Sequence, residues 1–268
     1  MEPILKVENV TKHYESGAFA ARREVCALDG VSLSIHPGQT LSLVGESGCG
    51  KSTLALCLAC LENASSGRIW FAETELITLN EAQRRKVRPK IQMVFQDPAN
   101  SLNPRLNALE LVMEPLNIQE RCEKCERRDR ARGLLKRVGI PEEKLRQRPS
   151  EFSGGQRQRI AIARALASEP QLLILDEALS ALDCSVQAQV ANLLLELQAS
   201  LGLTYLFITH DLAMAAYLGD EIAVMDRGCI VEMGGVEEVV SAPVHAVTRR
   251  LLLAAGDVGE AARTPQLV

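Results

Sequence analysis

The stretch Gly45-Glu46-Ser47-Gly48-Cys49-Gly50-Lys51-Ser52 decides the fold. It fits G-x-x-x-x-G-K-[ST]. The apolar run Leu41–Val44 before it reads as a strand, and the run from Lys51 to about Leu61 reads as a helix, the context the pattern needs. Glycines let the backbone curl until successive N–H groups point inward at phosphate oxygens. The helix start adds partial positive charge. Lys51 brings a full charge suited to β- and γ-phosphates, and the Ser52 hydroxyl is a hard oxygen ligand suited to Mg²⁺. A plain glycine-rich turn is the bland alternative; the strand before and the helix after speak against it.

Working outward, a second phosphate-site element comes late in the chain. Leu172-Leu173-Ile174-Leu175 reads as a buried strand ending in Asp176, with Glu177 next. An aspartate at a strand tip can hold Mg²⁺ through water. Neighbours on an extended strand point to opposite faces. Glu177 therefore serves the same site, by polarising an attacking water, only if the chain turns at the strand end. A merely solvated carboxylate is the competing reading.

The rest of the chain alternates strands with helices. Residues 3–10 and 25–35 read as strands, and Pro37-Gly38 as a turn. Strands are predicted at 68–71 and 91–95, then a mostly helical insertion over about 97–165. Within it, residues 119–137 interleave both signs of charge, as a solvated helix face does. A helix over about 186–201 carries Val186, Val190, Leu193, Leu194 and Leu197 on one face. A strand over 203–209, a further helix, and strands near 222–226 and 229–233 follow. The alternation predicts an α/β fold with a largely parallel central sheet.

Composition narrows the function. The 268 residues are 47% apolar, enough for a sizeable core and too apolar for disorder, yet only 3% aromatic. The net charge of −4 argues against nucleic acid as a bulk electrostatic partner. No apolar run is long enough to span a bilayer, and Met1–Lys6 does not read as an export signal. Eight cysteines are too few for a disulfide scaffold and read as reduced thiols of a cytosolic compartment.

Ser153-Gly154-Gly155-Gln156-Arg157 adds a second anion-facing helix start, with free N–H groups and a capping hydroxyl. A simple N-cap is its bland reading. With the loop at residues 45–52 upstream, the chain resembles the nucleotide-binding subunit of an ABC transporter over nearly all of residues 3–255. The resemblance implies a P-loop NTPase (RecA-like) core with a parallel central sheet, an N-terminal antiparallel β subdomain and the inserted helical subdomain. That is one domain, 1–255, with a weakly ordered tail over 256–268. It implies ATP and Mg²⁺, and two cassettes paired head-to-tail, each ATP lying between one subunit's Gly45–Thr53 loop and the other's Ser153-Gly154-Gly155-Gln156. Tyr14 corresponds to the aromatic that stacks on adenine, where a strand-edge aromatic is the alternative. Gln96 resembles the glutamine that senses Mg²⁺ and links to the membrane subunit. Asp183 resembles the interface aspartate, and His210 the switch histidine that contacts γ-phosphate and orients water. Glu177 takes the role of general base, and Ser52, Gln96 and Asp176 would hold the metal. The partners implied are a second ATPase subunit (a paralogue or an identical copy), two transmembrane permeases and, indirectly, a solute-binding protein. The location implied is the cytoplasmic face of the cell membrane.

Two departures from the family pattern are Ala178, where proline would fix φ, and Phe152, where leucine is commoner. Neither removes a ligand. The tail Pro243–Leu252, the Gly17-to-Arg23 insertion and the stretches Gln92–Pro98 and Ser101–Arg105 resemble the peptide/nickel importer group. The Asp-Glu-Ala-x-Ser variant and the short tail look most like its nickel-import ATPase, with dipeptide and oligopeptide importers as close competitors. Cys57/Cys60 and Cys122/Cys125 tempt a metal reading. The first pair is expected on the apolar loop helix as small core residues, and the second lies amid solvated charge. A soluble ABC protein acting on ribosomes or DNA, and a small-molecule P-loop kinase, are the competing classes.

Overall fold

The structure is a computed structural model and describes residues 2–16, 23–97, 101–119 and 123–255. Residues 17–22 of the expected insertion, Pro98, Cys122 and the tail from Gly256 lie outside the described residues. The chain forms two compact units. One combines the chain up to Arg88 with the chain from Thr204 onward; the other runs from Pro89 to Leu203.

The first unit opens with an antiparallel sheet in the order β2-β1-β4-β5, built from β1 (Leu5–Ser16), β2 (Arg23–Ile35), β4 (Ser66–Phe71) and β5 (Thr74–Glu75). The first two strands are longer than their apolar patterns suggested. Register shifts along β1 absorb the breaks in alternation. Its second set of strands runs β10-β9-β3-β8, from β3 (Thr40–Val44), β8 (Thr204–Thr209), β9 (Glu221–Asp226) and β10 (Cys229–Gly235). β3 pairs in parallel with both β8 and β9, while β10 is antiparallel to β9. Every residue of β3 and β8 is buried, as expected for parallel strands covered on both faces. Helices α1 (Lys51–Leu58) and α2 (Glu81–Val87) also belong to this unit. So do α7 (Leu212–Leu218), α8 (Val236–Ser241) and α9 (Ala246–Ala255). Val44, Leu212, Ala215, Ile222, Val224, Val239 and Val247 form one of its cores.

The second unit pairs β6 (Ile91–Val94) in parallel with β7 (Leu172–Asp176). Its long helices are α3 (Ala108–Gln119), α4 (Lys124–Arg137), α5 (Gly154–Leu166) and α6 (Cys184–Leu201). Local chemistry sets the ends of α6. Asp183 caps it by accepting from the Val186 amide at 3.0 Å, and it stops at Gly202, where φ is +65°.

A helix boundary moves as well. The helix after the loop at residues 45–52 ends at Leu58, and Cys60 sits beyond it with φ +56°. Cys57 and Cys60 are thus not two positions on one helix. Both are buried, and burial pushes the Cys57 thiol up to about 11.

Phe207 on β8 is 1% exposed. Phe207→Ala is expected to lower stability by about 3–5 kcal/mol through lost burial and a cavity. Denaturant unfolding measures this, and a loss below about 1 kcal/mol would contradict the buried assignment of β8.

Candidate nucleotide site

In the first unit, the loop between β3 and α1 is held in a curl by backbone geometry. Gly48 has φ +83° and Gly50, the N-cap of α1, has φ +113°. A side chain at Gly50 would also run into the Ala27 carbonyl, and one at Gly45 into the Met225 carbonyl. The motif glycines are therefore needed for close approach as well as for φ. The Gly228 amide donates to the Cys49 carbonyl at 2.8 Å, bracing the loop from the β9–β10 turn. That brace was missed in the sequence; the Arg227-Gly228 hairpin turn was its only signal.

Lys51 is 4% exposed. Its Nζ donates to the Gly45 carbonyl at 2.8 Å and the Glu46 carbonyl at 3.0 Å, and lies 3.8 Å from Cys49 Sγ. A buried ammonium needs such acceptors. Burial raises the Cys49 thiol, an effect the neighbouring Lys51 opposes. Ser47 and Ser52 are exposed and Thr53 is half-buried. Tyr14 on β1 is half-buried, with the Lys12 ammonium 4.7 Å from its ring centroid. His210 follows β8 and is exposed; the next residue, Asp211, caps α7 through the Ala213 and Met214 amides.

In the second unit, Asp176 ends β7 and is 7% exposed. Glu177 has φ +46°, so the chain does turn at the strand end. A non-glycine residue in that region carries strain, which concentrates at functional sites. Gln96 Nε2 donates to Glu177 Oε2 at 2.9 Å, joining two residues 81 positions apart. Ser180 Oγ donates to the Glu177 carbonyl at 2.9 Å, and Gln187 Nε2 donates to the Leu179 carbonyl at 3.0 Å. These two bonds fix the turn after Glu177 although proline is absent there. Ala178 is buried.

The Ser153 segment is a capping box. Ser153 Oγ accepts from the Gln156 amide at 3.3 Å, and Gln156 Oε1 accepts from the Ser153 amide at 3.2 Å. Ser153 itself is exposed. Gly155 is buried, and a Cβ there would clash with Val186 Cγ1; Gly154 faces Leu182. The start of α5 thus packs on the Asp183-capped start of α6. The Asp183 carboxyl is held below its ordinary value by the Val186 amide and the Ser185 hydroxyl.

Ser52, Asp176 and Gln96 each carry a hard oxygen, the donor chemistry that suits Mg²⁺, and the curled loop with its lysine suits a triphosphate. Among the described residues, no three His, Cys, Asp or Glu side chains are grouped to hold a metal.

Loop, strand order and capped helices define an ABC-type P-loop ATPase cassette. Residues 28–180 match the family model described as ABC transporter, and the chain belongs to that family. A probable peptide ABC transporter ATP-binding protein of Sinorhizobium fredii is 47% identical over 95% of this chain and 73% of its own length. The dipeptide transport ATP-binding protein DppF of Escherichia coli is 44% identical over 94% and 76%. Among solved structures, the dimeric post-hydrolysis state of the cassette MJ0796, bound to ADP and Pi, has a TM-score of 0.78 at 34% identity. It covers 87% of this chain and 98% of its own. The cassette cbiO1 of Clostridium perfringens has a TM-score of 0.79 at 31% identity, covering 97% and 98%.

Gly155→Ala is expected to cost about 1–3 kcal/mol, because the stiff Val186 side chain cannot retreat freely. Val186→Ala in the same chain should recover most of it. Thermal unfolding of the single and double variants checks this; equal instability in both would contradict the close approach.

Proposed function

We propose that this chain is the ATP-hydrolysing subunit of an importer and that the cargo it energises is a small peptide. The observation that carries the enzymatic part is the pair of helix starts facing outward with anion-binding chemistry. One is the loop around buried Lys51, and the other is the exposed Ser153-capped start of α5. A single nucleotide needs one such cradle. Two on one chain make sense when each serves a different ATP in a head-to-tail pair; that the MJ0796 cassette is dimeric supports pairing.

The roles follow from the chemistry. Lys51 and the loop amides bind the β- and γ-phosphates, and Tyr14 offers a ring for adenine. Ser52, Asp176 and Gln96 would hold Mg²⁺, whose charge would neutralise the phosphates when bound. Glu177, oriented by Gln96, takes the proton of the attacking water as its oxygen bonds to the γ-phosphorus. The bond to the bridging oxygen breaks, and ADP and phosphate result. His210 orients that water and contacts the γ-phosphate. Ser153, Gly154, Gly155 and Gln156 bind the γ-phosphate held by the partner subunit, with Asp183 at the same interface. Pairing is favoured while γ-phosphate is present and lost after hydrolysis, which is the differential binding that drives a transport cycle.

Among the described residues, no helix is long and apolar enough to cross a membrane. On this reading translocation falls to two permease subunits, with this chain docked on their cytoplasmic side and a solute-binding protein delivering cargo. The second cassette is a paralogue or an identical chain. The sequence by itself ranked nickel first. The relatives support the reverse order, since the names they carry concern peptides, dipeptides and glutathione.

Glu177→Gln should lower ATP turnover by about 10²-fold or more while retaining nucleotide affinity, and should accumulate an ATP-bound dimer in light scattering. Lys51→Ala should weaken nucleotide binding in calorimetry. Near-normal turnover in the first, or normal affinity in the second, would defeat the assignment. Cargo is tested by uptake into cells that carry this chain with its own permeases. Lys51→Ala should abolish uptake of a labelled dipeptide and leave labelled nickel unchanged; the opposite pattern restores nickel.

A further inference from the structure

The segment Pro243–Leu252 stands out in the sequence, yet the chemistry above gives it no part. It ends beside the phosphate loop. Val247 of α9, with Leu251 and Leu252, packs into the core that contains Val44, the residue immediately before Gly45. The start of α9 is anchored on β10. The Glu232 carboxylate accepts from the Val244 and His245 amides, each at 2.8 Å, and from the hydroxyl of Thr248, which is 0% exposed. From this anchored helix the Arg250 guanidinium reaches the Glu46 carboxylate, Nη2 to Oε1 2.9 Å. Glu46 belongs to the loop itself, and its carbonyl receives Lys51 at 3.0 Å.

A carboxylate inside a loop that binds a polyanion works against the ligand. Left alone, Glu46 would repel the phosphates. A guanidinium against it cancels that charge and ties the second residue of the loop to a packed helix. We propose that Arg250 is a positioning residue of the nucleotide site, acting through Glu46, and that the C-terminal helix thereby tunes ATP affinity. This rests on the reading that residues 45–52 bind ATP. Both side chains of the pair are more than half exposed, so the effect is modest. It amounts to about two- to fivefold in affinity at low ionic strength, fading as salt shortens the screening length.

The test is calorimetry with a non-hydrolysable ATP analogue at low and high salt, together with steady-state ATPase kinetics. Arg250→Ala should weaken binding at low salt and raise KM with little change in kcat. Arg250→Lys should keep most of the affinity. In a Glu46→Gln background, Arg250→Ala should have no further effect. Wild-type affinity in Arg250→Ala at low salt, or an equal loss in both backgrounds, would overturn the proposal. Lys51→Ala run in parallel separates the two readings. Unchanged affinity there defeats the ATP site itself. Lost affinity there, with none lost in Arg250→Ala, defeats only the role of Arg250.

Discussion

A lysine ammonium buried among backbone carbonyls is the interaction on which the proposed nucleotide site depends. Isolated, a buried charge is costly; Lys51 is tolerated because Gly45 and Glu46 turn their carbonyls onto it. That arrangement requires the curl at Gly48 and Gly50, which in turn requires residues without a side chain. The curl is braced from behind by Gly228 and from the front of α1 by the helix itself. The chain's own contacts therefore hold the curl, which lowers the ordering entropy that binding would cost.

The second unit organises its residues by a different device. Asp176 sits at the end of a fully buried strand, and the strained φ of Glu177 redirects the next side chain. Gln96 and Ser180 then hold that turn through hydrogen bonds to its carboxylate and carbonyl. The Ser153 capping box leaves its serine exposed while Gly155 presses against Val186. The carboxylate proposed as the general base and the Ser153-capped helix start are both fixed by short-range packing within one unit.

Much of this was legible because it lies in local pattern. The mostly apolar β3, β7 and β8 announce parallel strands, and the loop at residues 45–52 is a motif whose spacing carries its mechanism. The α/β class followed from that alternation. What stayed hidden depends on contacts across the chain or on the sign of one dihedral. Alternation cannot reveal that Glu177 turns to positive φ. Apolar periodicity overran the end of α1 and drew Cys60 into the helix. The short helices α8 and α9 were not read at all, since the anchor of α9 is a carboxylate on β10. Cargo is poorly legible for a related reason: a cassette does not touch its cargo, so tail and loop variants inform on it only indirectly.

The most direct test of the central claim is a crystal structure of the Glu177→Gln protein grown with ATP and Mg²⁺. The account predicts a dimer in which each γ-phosphate lies against Lys51 of one chain and Ser153 of the partner subunit. ATP bound away from Lys51, or seated there with Ser153 of the partner subunit turned elsewhere, would contradict it.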